Sequence, residues 1–205
     1  MNFGNFSKVV FVLLFVLVPI RTKAAVLYLE SPEAQYSLEE TFALEVKINP
    51  EEESVNAIRV ALEFDSDVLE VVGFDFEYSI LSFWIEQPTL TDIEEINSNG
   101  LISFTGGIPN GYKGKFIGTP LEANSLGKII FKPKSPVLDG GQTIIKLLDN
   151  SLVLLNNGRG GVADLTVETL ALNISNTGTV VDLNEKIAMM SLPTFSRYLF
   201  LLENL

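Results

Sequence analysis

Cysteine and histidine are both absent from the 205-residue chain, and each absence closes a set of functions. Without histidine there is no His-based triad, no imidazole general base and no His-ligated zinc. Without cysteine there is no thiol catalysis, no disulfide and no iron–sulfur ligation. Basic residues are scarce: 14 Lys and Arg stand against 26 Asp and Glu, a formal net charge of −12. The chain therefore lacks the basic surface that tracking a phosphate backbone needs, and nucleic acid is not an expected partner. Tryptophan occurs once, as Trp84. What is present is apolar, with 47% hydrophobic and 20% charged residues, the composition of a core-forming globular chain and not of a disordered one.

No acid occurs from Met1 to Ala25. Lys8 precedes an unbroken apolar run of 12 residues, Val9 to Ile20, short for a bilayer span of about 20 residues. Pro19 breaks a helix there, and Thr22-Lys23-Ala24 offers small residues where a signal peptidase inspects. Residues 1–24 are therefore expected to form a signal helix cleaved after Ala24, in preference to an uncleaved N-terminal anchor. Its loss removes Lys8, Arg21 and Lys23 and takes the net charge to −15. The expected location is secreted or cell-surface. Export usually invites disulfides; without them stability must come from a core, which about 150 residues can supply.

Between Val26 and Ile174 the chain alternates with the period of strands. In Thr41 to Ile48, Phe42, Leu44, Val46 and Ile48 share one face. In Asn56 to Phe64, Ile58, Val60, Leu62 and Phe64 face in, while Arg59, Ala61 and Glu63 face out. Asp65-Ser66-Asp67 is a turn before Val68 to Phe74. Asn99-Gly100 suits a tight hairpin turn, since both residues tolerate positive φ, and Leu101 to Phe104 follows. Lys128 to Lys132, Thr143 to Leu148, Ser151 to Leu155 and Leu165 to Ile174 are further strands, and one short helical turn fits Asp92 to Ile96. Eight or nine strands punctuated by Gly, Pro, Asn and Asp predict an all-β, antiparallel two-sheet sandwich.

The segment Ala61-Leu62-Glu63-Phe64-Asp65-Ser66-Asp67-Val68-Leu69-Glu70-Val71 resembles the strand, Asp-turn, Leu-Glu-Val strand of cohesin domains. Glu39-Glu40-Thr41-Phe42, Asn99-Gly100-Leu101-Ile102-Ser103-Phe104 and Gly127-Lys128-Ile129-Ile130-Phe131-Lys132 are similar to further pieces of that family, in order. The resemblance covers nearly all of the expected mature chain. It implies a jelly-roll β-sandwich of about nine strands over residues 26–175, related in fold to carbohydrate-binding modules. It also implies an extracellular, non-catalytic module that holds a protein partner, in cellulosomes the dockerin domain of a polysaccharide-degrading enzyme, by one sheet face. Arg59, Ala61 and Glu63 are the candidates for that face. No dockerin-like calcium loop and no enzyme domain accompanies the single unit.

The segment Thr105 to Pro120 has five glycines and two prolines in sixteen residues. As a flexible loop it would offer Tyr112, Lys113, Lys115 and Phe116 to a sugar or a protein; the blander reading is a crossover loop whose Tyr112 and Phe116 tuck under the sandwich edge. Trp84 lies opposite Phe83 and Ile85 and beside polar Ser82 and Glu86, which favours exposure, although buried Trp is common in sandwiches. The acids do not read as a metal site. Glu51-Glu52-Glu53 and Glu94-Glu95 are neighbours whose side chains diverge, and Asp149, Asn150, Asn156, Asn157 and Asp164 lack calcium-loop spacing. No cofactor is expected.

Residues 176–205 are expected to be a linker and an irregular C-terminal tail. Its apolar Tyr198 to Leu202 is too short to span a bilayer, so membrane association is expected only through the signal segment or this tail. The primary expectation is an exported recognition module for a dockerin-like protein partner, with binding residues Arg59, Glu63, Trp84, Tyr112, Lys113 and Phe116. The alternative is a carbohydrate-binding module that holds polysaccharide through exposed aromatics. A glycoside-cleaving enzyme is disfavoured, as no acid pair stands out.

Overall fold

Period-two alternation is obeyed almost throughout. The computed structural model describes residues 24–38, 40–51, 53–114, 124–137 and 141–175. They form twelve strands: β1 (Ala25–Glu30), β2 (Gln35–Ser37), β3 (Phe42–Asn49), β4 (Val55–Glu63), β5 (Leu69–Asp75), β6 (Phe83–Glu86), β7 (Leu101–Tyr112), β8 (Ser125–Pro133), β9 (Thr143–Leu147), β10 (Leu152–Leu155), β11 (Leu165–Val167) and β12 (Thr169–Ser175). Between β6 and β7 a 3-10 turn (Leu90–Asp92) leads into helix α1 (Ile93–Asn99). The signal segment, Phe116 and the tail lie outside the described residues.

Two sheets pack face to face. One runs β11-β1-β3-β8-β5; the other runs β2-β12-β9-β4-β7-β6, with β10 also paired to β4. The sandwich is the expected one, with two departures at its margins. The pairs β1–β11 and β2–β12 are parallel, so both sheets are mixed. The strand count exceeds nine because the short β2 carries no alternation to read, and because Leu165 to Ile174 divides into β11 and β12 at Glu168.

The core is what the alternation predicts. Phe42, Leu44, Val46 and Ile48 of β3 and Ile58, Val60 and Leu62 of β4 are buried, as are Phe104 and Phe131. The Phe131 ring stacks with Phe42 at 5.8 Å and meets Phe64 edge-on at 5.2 Å. Each such side chain contributes about 1.5–3 kcal/mol on leaving water.

Three local expectations are corrected. Asn99-Gly100 does not turn a hairpin. It ends α1: Gly100 takes φ 70° and donates its N–H to the Ile96 carbonyl at 2.8 Å. A hairpin and a helix end both need a left-handed residue, so the dipeptide fits either. Thr105 to Tyr112 belongs to β7 and is not a free loop; the chain leaves the β4 register only where Ile108 to Gly111 bulge out opposite Asn56. Ala61 is buried, not outward and exposed. It sits where the edge of β4 passes from β10 to β9, and the Ser151 hydroxyl covers it, accepting from the Ala61 N–H at 3.1 Å and donating to its carbonyl at 3.2 Å.

Candidate binding face

The outer face of the seven-stranded sheet is centred on β4. Arg59 and Glu63 project from it, exposed, two residue pairs apart. Arg59 stands opposite Thr105 of β7 and Leu152 of β10; Glu63 stands opposite Leu101 of β7 and Lys146 of β9. Apolar side chains surround them in the open: Leu101 is 45% exposed, Leu152 37% and Ile144 55%. At the β6 edge Phe83 is 47% exposed and Ile85, the extra residue of a β-bulge, 68%. Glu86 accepts hydrogen bonds from the Ser103 hydroxyl at 2.7 Å and the Thr105 hydroxyl at 3.4 Å, which fixes its carboxylate on this face.

The other sheet's outer face is different in kind. Lys47 is buried between Glu30 and Glu45, the latter 3.2 Å away. Lys132 lies 3.9 Å from Glu70, and Lys128 sits 5.9 Å from the centre of the Tyr78 ring. Among the described residues Val72 is the one exposed large hydrophobic in those five strands. One face is closed by its own charge pairs; the other leaves apolar groups and carboxylates open.

Helix α1 borders the open face. Its Asn97 amide is clamped to β5, accepting from the Val71 N–H at 2.7 Å and donating to the Val71 carbonyl at 2.9 Å; Ile96 is buried beneath. Between α1 and the sheet lies a groove of about 580 Å³, lined by Arg59, Leu101 and Ser103 on the sheet side and by Glu86, Asp92 and Glu95. The Asp92 carboxylate accepts from the Thr89 N–H at 2.7 Å and from its hydroxyl at 2.8 Å, and these bonds hold it below the usual carboxylate pKa.

The remaining expected site residues are elsewhere. Trp84 is half-buried on the inner side of β6, its ring 4.6 Å from Phe76 and 6.2 Å from Phe104. It also lines a second hollow of about 540 Å³ with Phe74, Asp75, Glu77 and Gln87. The bulge at Ile85 breaks the parity that grouped Trp84 with Glu86: Glu86 joins Phe83 on the outer face, Phe83 and Ile85 meet solvent, and Trp84 lies inward. Tyr112, at the far end of β7, is half-buried, donates its hydroxyl to the Asn124 side chain, and has its phenol pKa pushed up by burial. Lys113 beside it is exposed. The fold thus brings Arg59 and Glu63 together and keeps Trp84, Tyr112 and Lys113 apart from them.

Phe83, Leu101, Ile144 and Leu152 were not marked by the sequence reading. The signal for Phe83 was present: Gly106-Gly107 inside a strand marks a close approach. A Cβ at Gly107 would collide with the Phe83 ring, and one at Gly106 would lie 2.9 Å from the Phe83 carbonyl oxygen. No group of three or more Asp or Glu is placed to hold a metal ion among the described residues, and no described helix is long and apolar enough to cross a membrane.

No family model and no curated protein matches the sequence. Solved structures do match. The fold resembles a cohesin module of a family 33 glycoside hydrolase from Clostridium perfringens, with a TM-score of 0.55 and 13% identity over 75% of this chain and 98% of that one. It resembles the sixth cohesin of scaffoldin B from Acetivibrio cellulolyticus, solved in complex with a Cel5 dockerin mutant (TM-score 0.52, 12% identity, 75% and 100% covered). The seventh ScaB type I cohesin of Pseudobacteroides cellulosolvens is similar as well (0.51, 14%, 77% and 96%). The domain has the cohesin fold.

Proposed function

We propose that the chain is an exported, non-catalytic recognition module, secreted or displayed at the cell surface, which binds a protein partner of dockerin type in a surface or polysaccharide-degrading assembly. The observation that carries this reading is the inequality of the two outer faces. One is filled by paired charges, whereas the face around β4 exposes Phe83, Leu101, Ile144 and Leu152. A stable interface buries roughly 800 Å² per partner, and aromatic, aliphatic and Arg anchors at its centre dominate the affinity. The dockerin complex of the Acetivibrio cohesin, which shares this fold, supports the choice of partner class.

The test is calorimetric titration of the domain with a panel of purified dockerin modules. Leu101→Asp and Phe83→Asp are expected to weaken a positive pair by at least about tenfold each, as losses of interface anchors do. Val72→Asp, on the opposite sheet, is expected to leave it unchanged. Equal sensitivity of both faces would overturn the reading.

A carbohydrate-binding role is the second reading, favoured by the hollow in which Phe74 and Trp84 meet the carboxylates of Asp75 and Glu77. Retention of the domain on insoluble polysaccharide, abolished by Glu77→Gln or Trp84→Ala, would favour it over protein docking.

A further inference from the structure

We infer that the partner meets the open face with basic side chains, lysine or arginine, seated in the groove between α1 and the sheet. The inference rests on the docking reading above and adds the chemistry of the contact.

Glu63, Glu86, Asp92 and Glu95 lie on or around this face, and among the described residues none of them is in an ion pair, whereas Glu30, Glu45 and Glu70 on the opposite sheet each have a lysine. The groove holds three carboxylates against the single guanidinium of Arg59. Asp92 stays ionised because Thr89 bonds its charged form, and Glu86 is steadied by Ser103 and Thr105. These carboxylates are pre-oriented without being neutralised. Leu101 supplies the apolar element of the same groove. A cationic head on a long aliphatic stem fits both: the stem covers Leu101 and the head reaches the carboxylates. Opposite potentials across an interface set partner choice and the rate of encounter.

The probe is a twenty-residue amphipathic helical peptide with leucine along one face and flanking lysines, compared with the same peptide carrying glutamates. Binding is read by amide chemical shifts at 50 mM salt. The lysine peptide is expected to bind, with shifts centred on Glu95, Leu101 and Ser103, and the glutamate peptide to fail. The double change Glu86→Gln/Glu95→Gln is expected to weaken binding at least about tenfold, and Glu33→Gln, exposed and outside the groove, to leave it unchanged; raising salt to 500 mM is expected to weaken it similarly as the Debye length shrinks. Equal binding of the two peptides, shifts away from the groove, or indifference to the double change would overturn the inference. A dockerin module that binds, is lost in Leu101→Asp and ignores Glu86→Gln/Glu95→Gln would overturn it while leaving the docking reading intact.

Discussion

The ring of Phe83 lies directly over Gly107, in the space a side chain at that position would fill. The glycine is thus the seat of an aromatic group at the edge of the open face, and strand β7 accepts the weaker backbone propensity of glycine there.

Gly107→Ala is expected to push the ring away and cost about 1–2 kcal/mol, as overpacking does. In a Phe83→Ala background the same change is expected to cost nothing or to stabilise, because the obstacle is gone. Urea denaturation of the four-member cycle measures the coupling; additive effects would show that the two residues do not touch.

Gly100 closes α1 with φ 70°, and a Cβ there would lie 2.5 Å from the Phe64 carbonyl oxygen. Left-handed geometry costs a residue with a Cβ about 1–2 kcal/mol, and a backbone oxygen cannot rotate aside. Gly100→Ala is expected to lose at least about 2 kcal/mol, a fall in Tm of several degrees for a domain of this size. Calorimetry checks it.

Lys47 is buried between Glu30 and Glu45, and the Glu45 Oε1 atom is itself buried with no hydrogen-bond partner among the described residues. Lys47→Met removes the ammonium and leaves that carboxylate uncompensated, at a cost of about 1–3 kcal/mol. The double change Lys47→Met/Glu45→Leu is expected to recover much of the loss, since replacing both members of such a pair is often neutral. Chemical denaturation of the single and double variants at pH 7 reads both effects.

The same corner sets the alkaline limit. Burial pushes the phenols of Tyr28 and Tyr112 above 10.0. Burial alone would lower the Lys47 ammonium, but its hydrogen bonds to Glu30 and Glu45 carry it above 10.5. All three hold their protons more tightly folded than unfolded, so their contribution is complete below pH 10 and declines as pH rises through 10 and beyond. The urea midpoint is expected to be level from pH 7 to about 9.5 and to fall above about 10. Tyr28→Phe is expected to make that fall shallower.

The sequence carried the sheets clearly because one buried face imposes strict alternation; the inward sets of β3 and β4 were legible residue by residue. Where two structures need the same backbone, as at Asn99-Gly100, local sequence does not choose between them. Arg59 and Glu63 were legible as outward because β4 alternates without interruption. Trp84 was not, because at an edge strand polar neighbours such as Ser82 and Glu86 do not tell which side is covered; that depends on Phe76 and Phe104, which belong to other segments of the fold. Ala61 fails for a similar reason, since the residue that covers it, Ser151, lies 90 positions on.

The two parallel pairs join the outermost ends of the domain: Ala25 to Leu165 through β1–β11, and Ser37 to Ser175 through β2–β12. Within each pair the two strands run in the same direction, so tension applied at residues 24 and 175 drags β1 and β11 lengthwise in opposite senses. Their backbone bonds must then yield together instead of one by one. A module anchored at one end of this domain and pulled at the other is loaded in shear, the geometry in which a short sheet resists mechanical force best.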